Sequence, residues 1–344
     1  VTQTTLSSDA RMRAAVLVEP GHIEMHERPV PAPGPGDVLV KVSSVGVCGS
    51  DTHYYRHGRL GTFVVEAPLV LGHEAAGTLV AVGAGVDTSR IGERVSIEPQ
   101  RPDPDSAETR SGHYNLCPHM QFYATPPIDG AFCDYVTIGA AFAHPVPDTV
   151  SDDAAALCEP LSVGIAAVRK AGISGGARVL IAGAGPIGVV IAQVANAYGA
   201  TEIVVSDPDE ARRRQILGFG ATAVLDPTAE PIGDLGVDAF IDASGAPPAV
   251  TAGIRAVRPA GTVVLVGSGA ETMELPTQVI QNRELMLTGI FRYANTWPAA
   301  IALIESKRVD LDAMVTARFP LERAAEALDS DRTPGSVKAV VAVS

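Results

Sequence analysis

Cysteine is scarce, with four in 344 residues: Cys48, Cys117, Cys133 and Cys158. Scattered so widely, they form no disulfide framework and point to a reducing compartment, the cytoplasm. Aromatic residues make up only 5%, with a single tryptophan, and charged residues only 19%. Low charge beside 46% hydrophobic residues excludes a disordered chain. Positive charge is short too: 26 Lys and Arg against 39 Asp and Glu give a net charge of −13. That field works against nucleic acid and anionic lipid as partners and leaves neutral small molecules open. A membrane-length apolar run is also missing. Ala177 to Ala200 imitates one, with Arg178 as its only charge, but Gly183, Gly185, Pro186 and Gly188 divide it into a short strand and a helix. The opening residues are polar and lack the core of a signal peptide. Met12 stands as an alternative start, with the residues before it expected outside the folded body.

Glycine and proline, at 34 and 26, are plentiful and mark many tight turns. The length suits two domains. Residues 13–150 read as β-rich, with short strands at Arg13–Glu19, Asp37–Val47, Ala76–Val82 and Arg94–Glu98. The polar, Pro-containing stretch near 100–118 reads as a surface loop. From about residue 161 strands and helices alternate. Strands are expected at Arg178–Ala182, Glu202–Ser206, Ala223–Leu225, Ala239–Ala243, Thr262–Val266 and Leu285–Phe291, with helices such as Ile187–Tyr198 and Pro208–Phe219 between them. This is the pattern of a doubly wound parallel sheet. The tail gives a helix at Trp297–Ser306, then Val315–Phe319, Leu321–Leu328 and a last strand at Val337–Val343 that can rejoin the first domain. The expected division is 1–160 with 300–344, and 161–299 between them.

Gly183-Ala184-Gly185-Pro186-Ile187-Gly188 fits G-x-G-x-x-G between a strand and an apolar helix. In that setting Gly183 makes the tight turn, Gly185 lets a pyrophosphate approach the backbone, and Gly188 allows close helix–strand packing. The helix start adds unsatisfied N–H groups and a positive dipole end. About 20 residues on, Asp207 ends the next strand, where an acid accepts the ribose hydroxyls of NAD and repels a 2′-phosphate. Arg212, Arg213 and Arg214 follow, and the second and third read as a solvated helix face.

Three further segments contain residue types that bind zinc: Gly46-Val47-Cys48-Gly49-Ser50-Asp51, Gly72-His73-Glu74, and Cys158-Glu159-Pro160-Leu161. No local spacing links them. Taken alone they fit a small buried cysteine and a hydrogen-bonded His–Glu pair as well as a metal site.

Taken in order, these segments and the fingerprint resemble the zinc-containing medium-chain dehydrogenase/reductase family over nearly the whole chain. Its sorbitol dehydrogenase branch is the closest in pattern. Further blocks carry that likeness: Val45 through Tyr55, Ala124-Thr125-Pro126-Pro127, Glu159 through Gly164, and Phe291-Arg292-Tyr293-Ala294-Asn295-Thr296-Trp297-Pro298. The resemblance implies a β-rich, GroES-like catalytic domain with a Rossmann domain. It implies that Cys48, His73 and Glu74 hold one zinc with water in the fourth place. Glu159, at a position held by a cysteine ligand in other alcohol dehydrogenases, either bonds that water or alternates with Glu74. Only Cys117 lies in the stretch where many relatives hold a structural zinc on four cysteines, so no such zinc is expected.

By the same resemblance the enzyme moves hydride from a secondary alcohol of a polyol, sorbitol- or xylitol-like, to NAD and yields a ketose. Ser50 and His53 pass the proton outward. Tyr54, Glu159, Arg292 and Tyr293 bind the polyol hydroxyls. Gly183, Gly185, Pro186, Ile187, Gly188, Asp207, Arg212, Val266, Gly267, Ser268, Phe291 and Arg292 bind the cofactor, and the chain forms a homo-oligomer, a tetramer. The alternatives are a zinc alcohol or 2,3-butanediol dehydrogenase, and a non-catalytic cofactor-binding protein of the same fold. Loss of the cysteine set and the Phe-Arg-Tyr block count against the first. The presence of Cys48, His73, Glu74 and Glu159 together counts against the second.

Overall fold

In the computed structural model, which describes residues 10–269 and 271–344, the chain divides into two units. One takes the chain through Glu159 together with Leu311–Ser344, and the other is Pro160–Asp310. The expected boundary at 299/300 therefore moves to 310/311. The helix Trp297–Glu305 leads into a turn bound to the second unit: Arg308 donates to the Ala197 carbonyl (2.6 Å), and the Gln193 side chain takes the Asp310 N–H (2.6 Å). The expectation for the opening residues concerns 1–9, which lie outside the described residues, whereas Arg11 and Met12 already belong to the strand Arg11–Glu19.

The first unit is built on a seven-stranded sheet centred on Asp37–Gly46. That strand runs antiparallel to Glu74–Val82 on one side and to the C-terminal strand Lys338–Ala342 on the other. The last strand thus makes this unit discontinuous. Val and Leu side chains of the sheet bury against the Arg11–Glu19 strand, Phe132 and Leu328. The strand His22–Pro29, which pairs with Arg11–Glu19, holds only Ile23 and Met25 as large apolar residues, none of its residues is buried, and so its alternation is too short to mark a strand. The helix Gly49–His57 is likewise silent in the sequence: its buried residues are Asp51, Thr52, Tyr54 and Tyr55, too polar to make an apolar stripe.

The stretch read as a loop near 100–118 contains local structure. Ser106 caps the short helix Ala107–Arg110 by accepting from the Thr109 N–H (3.1 Å), and a 3-10 turn covers Tyr114–Leu116. The Tyr114 hydroxyl donates to the buried Glu98 carboxylate (2.7 Å), which ties the stretch to the sheet. Such long-range polar contacts have no sequence periodicity.

The second unit holds six parallel strands in the order Ala223–Leu225, Glu202–Ser206, Arg178–Ala182, Val237–Asp242, Val257–Leu265, Met286–Gly289. The order reverses between Arg178–Ala182 and Val237–Asp242, which is the ligand-binding switch point of a doubly wound sheet. The fifth strand starts earlier than expected and the sixth is shorter than expected. The helix Glu210–Ile216 begins after Pro208 because Asp209 caps it, accepting from the Arg212 N–H (3.1 Å). The segment 177–200 resolves into a strand and the helix Pro186–Ala197. No helix among the described residues is long and apolar enough to cross a membrane.

Candidate functional site

Strand register assembles the first cluster. Gly46 lies opposite Glu74 on one side and Val340 on the other. Cys48 follows Gly46 by two residues at the start of the Gly49–His57 helix, and His73 directly precedes Glu74. The ligand atoms of Cys48, His73 and Glu74 consequently lie within 4.8 Å of one another. Only glycine fits at position 46, since a Cβ there would stand 2.0 Å from Glu74 Oε2.

Two residues that the sequence reading did not assign hold this cluster. Asp51 is fully buried. Its Oδ2 accepts from the Cys48 N–H (3.1 Å), its Oδ1 accepts from the Gly72 N–H (2.9 Å), and His73 Nδ1 stands 3.5 Å from Oδ1. One carboxylate thus fixes both ligand-bearing segments, and its place three residues after Cys48, as a helix N3 acid, was the available signal. Lys338 is 3% exposed and its Nζ donates to Glu74 Oε1 (2.5 Å). It opens the strand Lys338–Ala342, and nothing local in the sequence marks it. Burial pushes the His73 imidazole down, but Asp51 and then Cys48 outweigh it and hold it well above its usual range. Burial also lowers Lys338, while Glu74, with Cys48 and Glu159 behind it, raises it above the ordinary lysine value.

These residues fit a metal. Glu74 Oε2 is buried without a hydrogen-bond partner, beside a thiol and an imidazole. An orphaned carboxylate oxygen in that company suits a cation, and Cys, His and Glu are zinc ligands. Glu159, 5% exposed, belongs to the same unit. Ser50 is half-buried and His53 exposed on the Gly49–His57 helix, whereas Tyr54 is buried in the core. Cys117 is buried, and its Sγ accepts from the Asp103 N–H (3.3 Å).

The second unit builds its site at the C-terminal ends of the strands. Gly183 has φ 98°, and a Cβ on Gly188 would stand 1.9 Å from the Gly183 carbonyl, whereas one on Gly185 would meet nothing within 4 Å. The backbone at Gly185 is therefore open to a ligand at the start of the Pro186–Ala197 helix, with Ile187 beside it. Asp207 is buried: its Oδ2 accepts from the Ala184 N–H and its Oδ1 from the Asp209 N–H, both 2.8 Å. The carboxylate therefore also anchors the fingerprint loop, a role that the sequence did not reveal. Arg213 donates to the Asp207 carbonyl (2.6 Å) and pairs with Asp226 (2.8 Å), Arg214 pairs with Glu210, and Arg212 is exposed. So Arg213 is a structural clamp, not a solvated face.

Val266 and Gly267 each donate an N–H to the Asp242 carbonyl (2.9 Å), and a Cβ on Gly267 would collide with Gly245. Ser268 follows in the same loop. The Asp242 carboxylate, unassigned from sequence, accepts from the Ser244 N–H (3.0 Å) and hydroxyl (2.7 Å) and from the Gly245 N–H (3.1 Å). Phe291 is half exposed with the Arg292 guanidinium over its ring (4.8 Å). Arg292 itself has φ 56°, and Tyr293 is buried edge-on against Trp297.

A doubly wound dinucleotide unit joined to a β-rich unit with a largely buried Cys–His–Glu cluster defines a metal-dependent dehydrogenase class. Residues 34–148 match the alcohol dehydrogenase GroES-like domain, and residues 186–306 match the zinc-binding dehydrogenase domain. The sorbitol dehydrogenase of Macaca fascicularis is 45% identical over 325 residues, covering 92% of this chain and 91% of that protein. A solved zinc-binding dehydrogenase from Sinorhizobium meliloti 1021, bound to NADP, is 30% identical with a TM-score of 0.90, covering 97% of this chain and all of that one (100%). The alcohol dehydrogenase rspB of E. coli CFT073, solved with NADH, is 27% identical with a TM-score of 0.91, covering 97% and 99%. The chain belongs to the zinc-containing medium-chain dehydrogenase family, alongside the sorbitol dehydrogenases. It is an oxidoreductase of CH–OH groups that uses zinc and a nicotinamide cofactor.

Proposed function

We propose that this enzyme oxidises a secondary alcohol of a polyol to a ketose, with NAD in preference to NADP. What carries the reading is the Cys48, His73 and Glu74 cluster, with His73 and Glu74 buried, in a chain 45% identical to a sorbitol dehydrogenase. Cys48, His73 and Glu74 hold one firmly bound zinc per chain, which supplies Lewis acidity to the substrate hydroxyl. Asp51 orients His73, and Lys338 holds one oxygen of Glu74 so that the other faces the cluster. Glu159 would either hydrogen-bond the water that completes the zinc's shell or alternate with Glu74 as ligand. Ser50 and His53 carry the proton outward from the buried site. Tyr54, Glu159, Arg292 and Tyr293 bind substrate hydroxyls, and a site built to bond hydroxyls rejects alcohols lacking them.

The loop Gly183–Gly188 takes the cofactor pyrophosphate, with Val266, Gly267, Ser268, Phe291 and Arg292 serving the rest of the cofactor. Each oxygen of Asp207 has one backbone donor and retains acceptor capacity for the ribose hydroxyls. Arg212 flanks that ribose. The two solved relatives hold different cofactors, so this choice rests on Asp207 and not on the fold. The protein acts in a reducing cytoplasm, in keeping with four free cysteines, and forms a homo-oligomer, a tetramer. The edge strand Met286–Gly289 supports association, since Met286 is 66% exposed on it.

Steady-state kinetics on a panel of sorbitol, xylitol, arabinitol, ribitol, 2,3-butanediol and ethanol tests the reading. A polyol is expected to have the highest kcat/KM, well above ethanol. Preference for the diol or for ethanol overturns the substrate class and favours the zinc alcohol dehydrogenase alternative.

A further inference from the structure

Apart from the cluster already described, the exposed side of the Gly49–His57 helix carries two histidines, His53 and His57. Four residues apart, they occupy one face of the helix, the spacing by which helical histidines share a zinc ion. Their ring centroids are 5.8 Å apart with planes inclined at 49°. Two imidazoles on one ion, with nitrogen–metal distances of about 2.0–2.1 Å, hold their ring centres roughly 5–6 Å apart. Chelation therefore needs rotation of side chains and no movement of backbone.

The pair lines a cavity of about 120 Å³ with Gly49, Thr52, Arg56 and Asp331. Charge at its mouth is balanced. Arg56 pairs with Asp331 (2.5 Å) and Asp329 (3.0 Å), and Arg332 stands 3.6 Å from Asp329, so two cations meet two anions. Imidazole nitrogens as ligands select zinc, copper or nickel over magnesium and calcium.

We propose that His53 and His57 form a second, exchangeable divalent-metal site, zinc foremost, separate from the Cys48, His73 and Glu74 cluster. Only two side chains hold the ion and water completes its shell, so it binds more weakly than a zinc held by three protein ligands. Resting on the reading of His53 given above, an ion on this pair occupies the imidazole that carries the proton outward and slows turnover.

Zinc chloride is titrated calorimetrically into enzyme already loaded with its first zinc, comparing the native protein with His57→Ala and His57→Gln. Turnover with a polyol is followed over the same zinc concentrations. The native protein is expected to take up one additional zinc. Both variants should lose at least about tenfold in affinity for it, because even a residue behind a metal ligand is commonly worth 10–100-fold. Activity without added zinc is unchanged in both variants, and the native enzyme slows in step with occupancy. No additional zinc on the native protein, or the same affinity in all three, overturns the site. Zinc bound through His57 with turnover unaffected keeps the site and overturns the place of His53 in the proton path. The calorimetric arm needs no substrate, so it stands whatever the polyol panel gives.

Discussion

In the nucleotide unit, the loop Gly183–Gly188 occupies six consecutive residues, and its collar residues Asp207 and Asp242 stand at the ends of the two parallel strands that flank Arg178–Ala182. In the catalytic unit, the cluster draws on residues 48, 51, 73, 74 and 338, which meet only because three antiparallel strands align Gly46, Glu74 and Val340. Each unit nevertheless uses a buried aspartate as the knot: Asp51 fastens two ligand segments far apart in the chain, whereas Asp242 fastens a turn within three residues of itself. The glycine turn is local, and Asp207 anchors it from further along the chain, whereas every part of the metal cluster depends on strand register.

Breaking the metal cluster outright gives the largest effect. Cys48→Ala should abolish turnover and remove the firmly bound zinc, while calorimetry still finds near-native NAD binding. Loss of NAD binding as well would mean that the two units do not act separately. Next comes cofactor choice. Asp207→Ser removes a charged acceptor worth roughly 1.5–3 kcal/mol and relieves repulsion of a 2′-phosphate, so the NADP to NAD ratio of kcat/KM should rise on the order of a hundredfold. Absolute activity with NAD should fall further than the ribose bond alone explains, because the Ala184 N–H loses its acceptor. Arg212→Ala should weaken NAD only modestly. Unchanged cofactor preference in Asp207→Ser would detach Asp207 from the ribose.

The two aspartates sharpen the comparison. Asp51→Asn should lower zinc affinity about 10–100-fold in a chelator competition and leave cofactor binding intact. Asp242→Asn should do the reverse. A pair of glycine changes gives the smallest effects. Gly46→Ala and Gly188→Ala each force an overlap, costing about 1–3 kcal/mol in thermal or denaturant unfolding. The first should weaken zinc and the second the cofactor, and equal damage to both functions from either change would contradict the division.

The element types of the nucleotide unit were legible because its strands and helices have apolar periodicity and its turn needs glycine at stated positions. Cys48, His73 and Glu74 were visible as residue types, and only the family resemblance joined them, since pairing register is a property of three strands at once. His22–Pro29 and Gly49–His57 escaped because one is a solvated edge and the other buries polar side chains. The stretch 100–118 is tied to the sheet by a Tyr114–Glu98 hydrogen bond, which has no periodic trace.

By itself the sequence determined the two-part architecture, the strand–turn–helix at Gly183 and the ligand types available to zinc, because periodicity and glycine's backbone freedom act over a few neighbouring residues. Tertiary structure decided which acids are ligand, clamp or cap. The lone pairs of Glu74, Asp51 and Asp207 find their partners, Lys338 among them, only once the strands have aligned and water has been excluded.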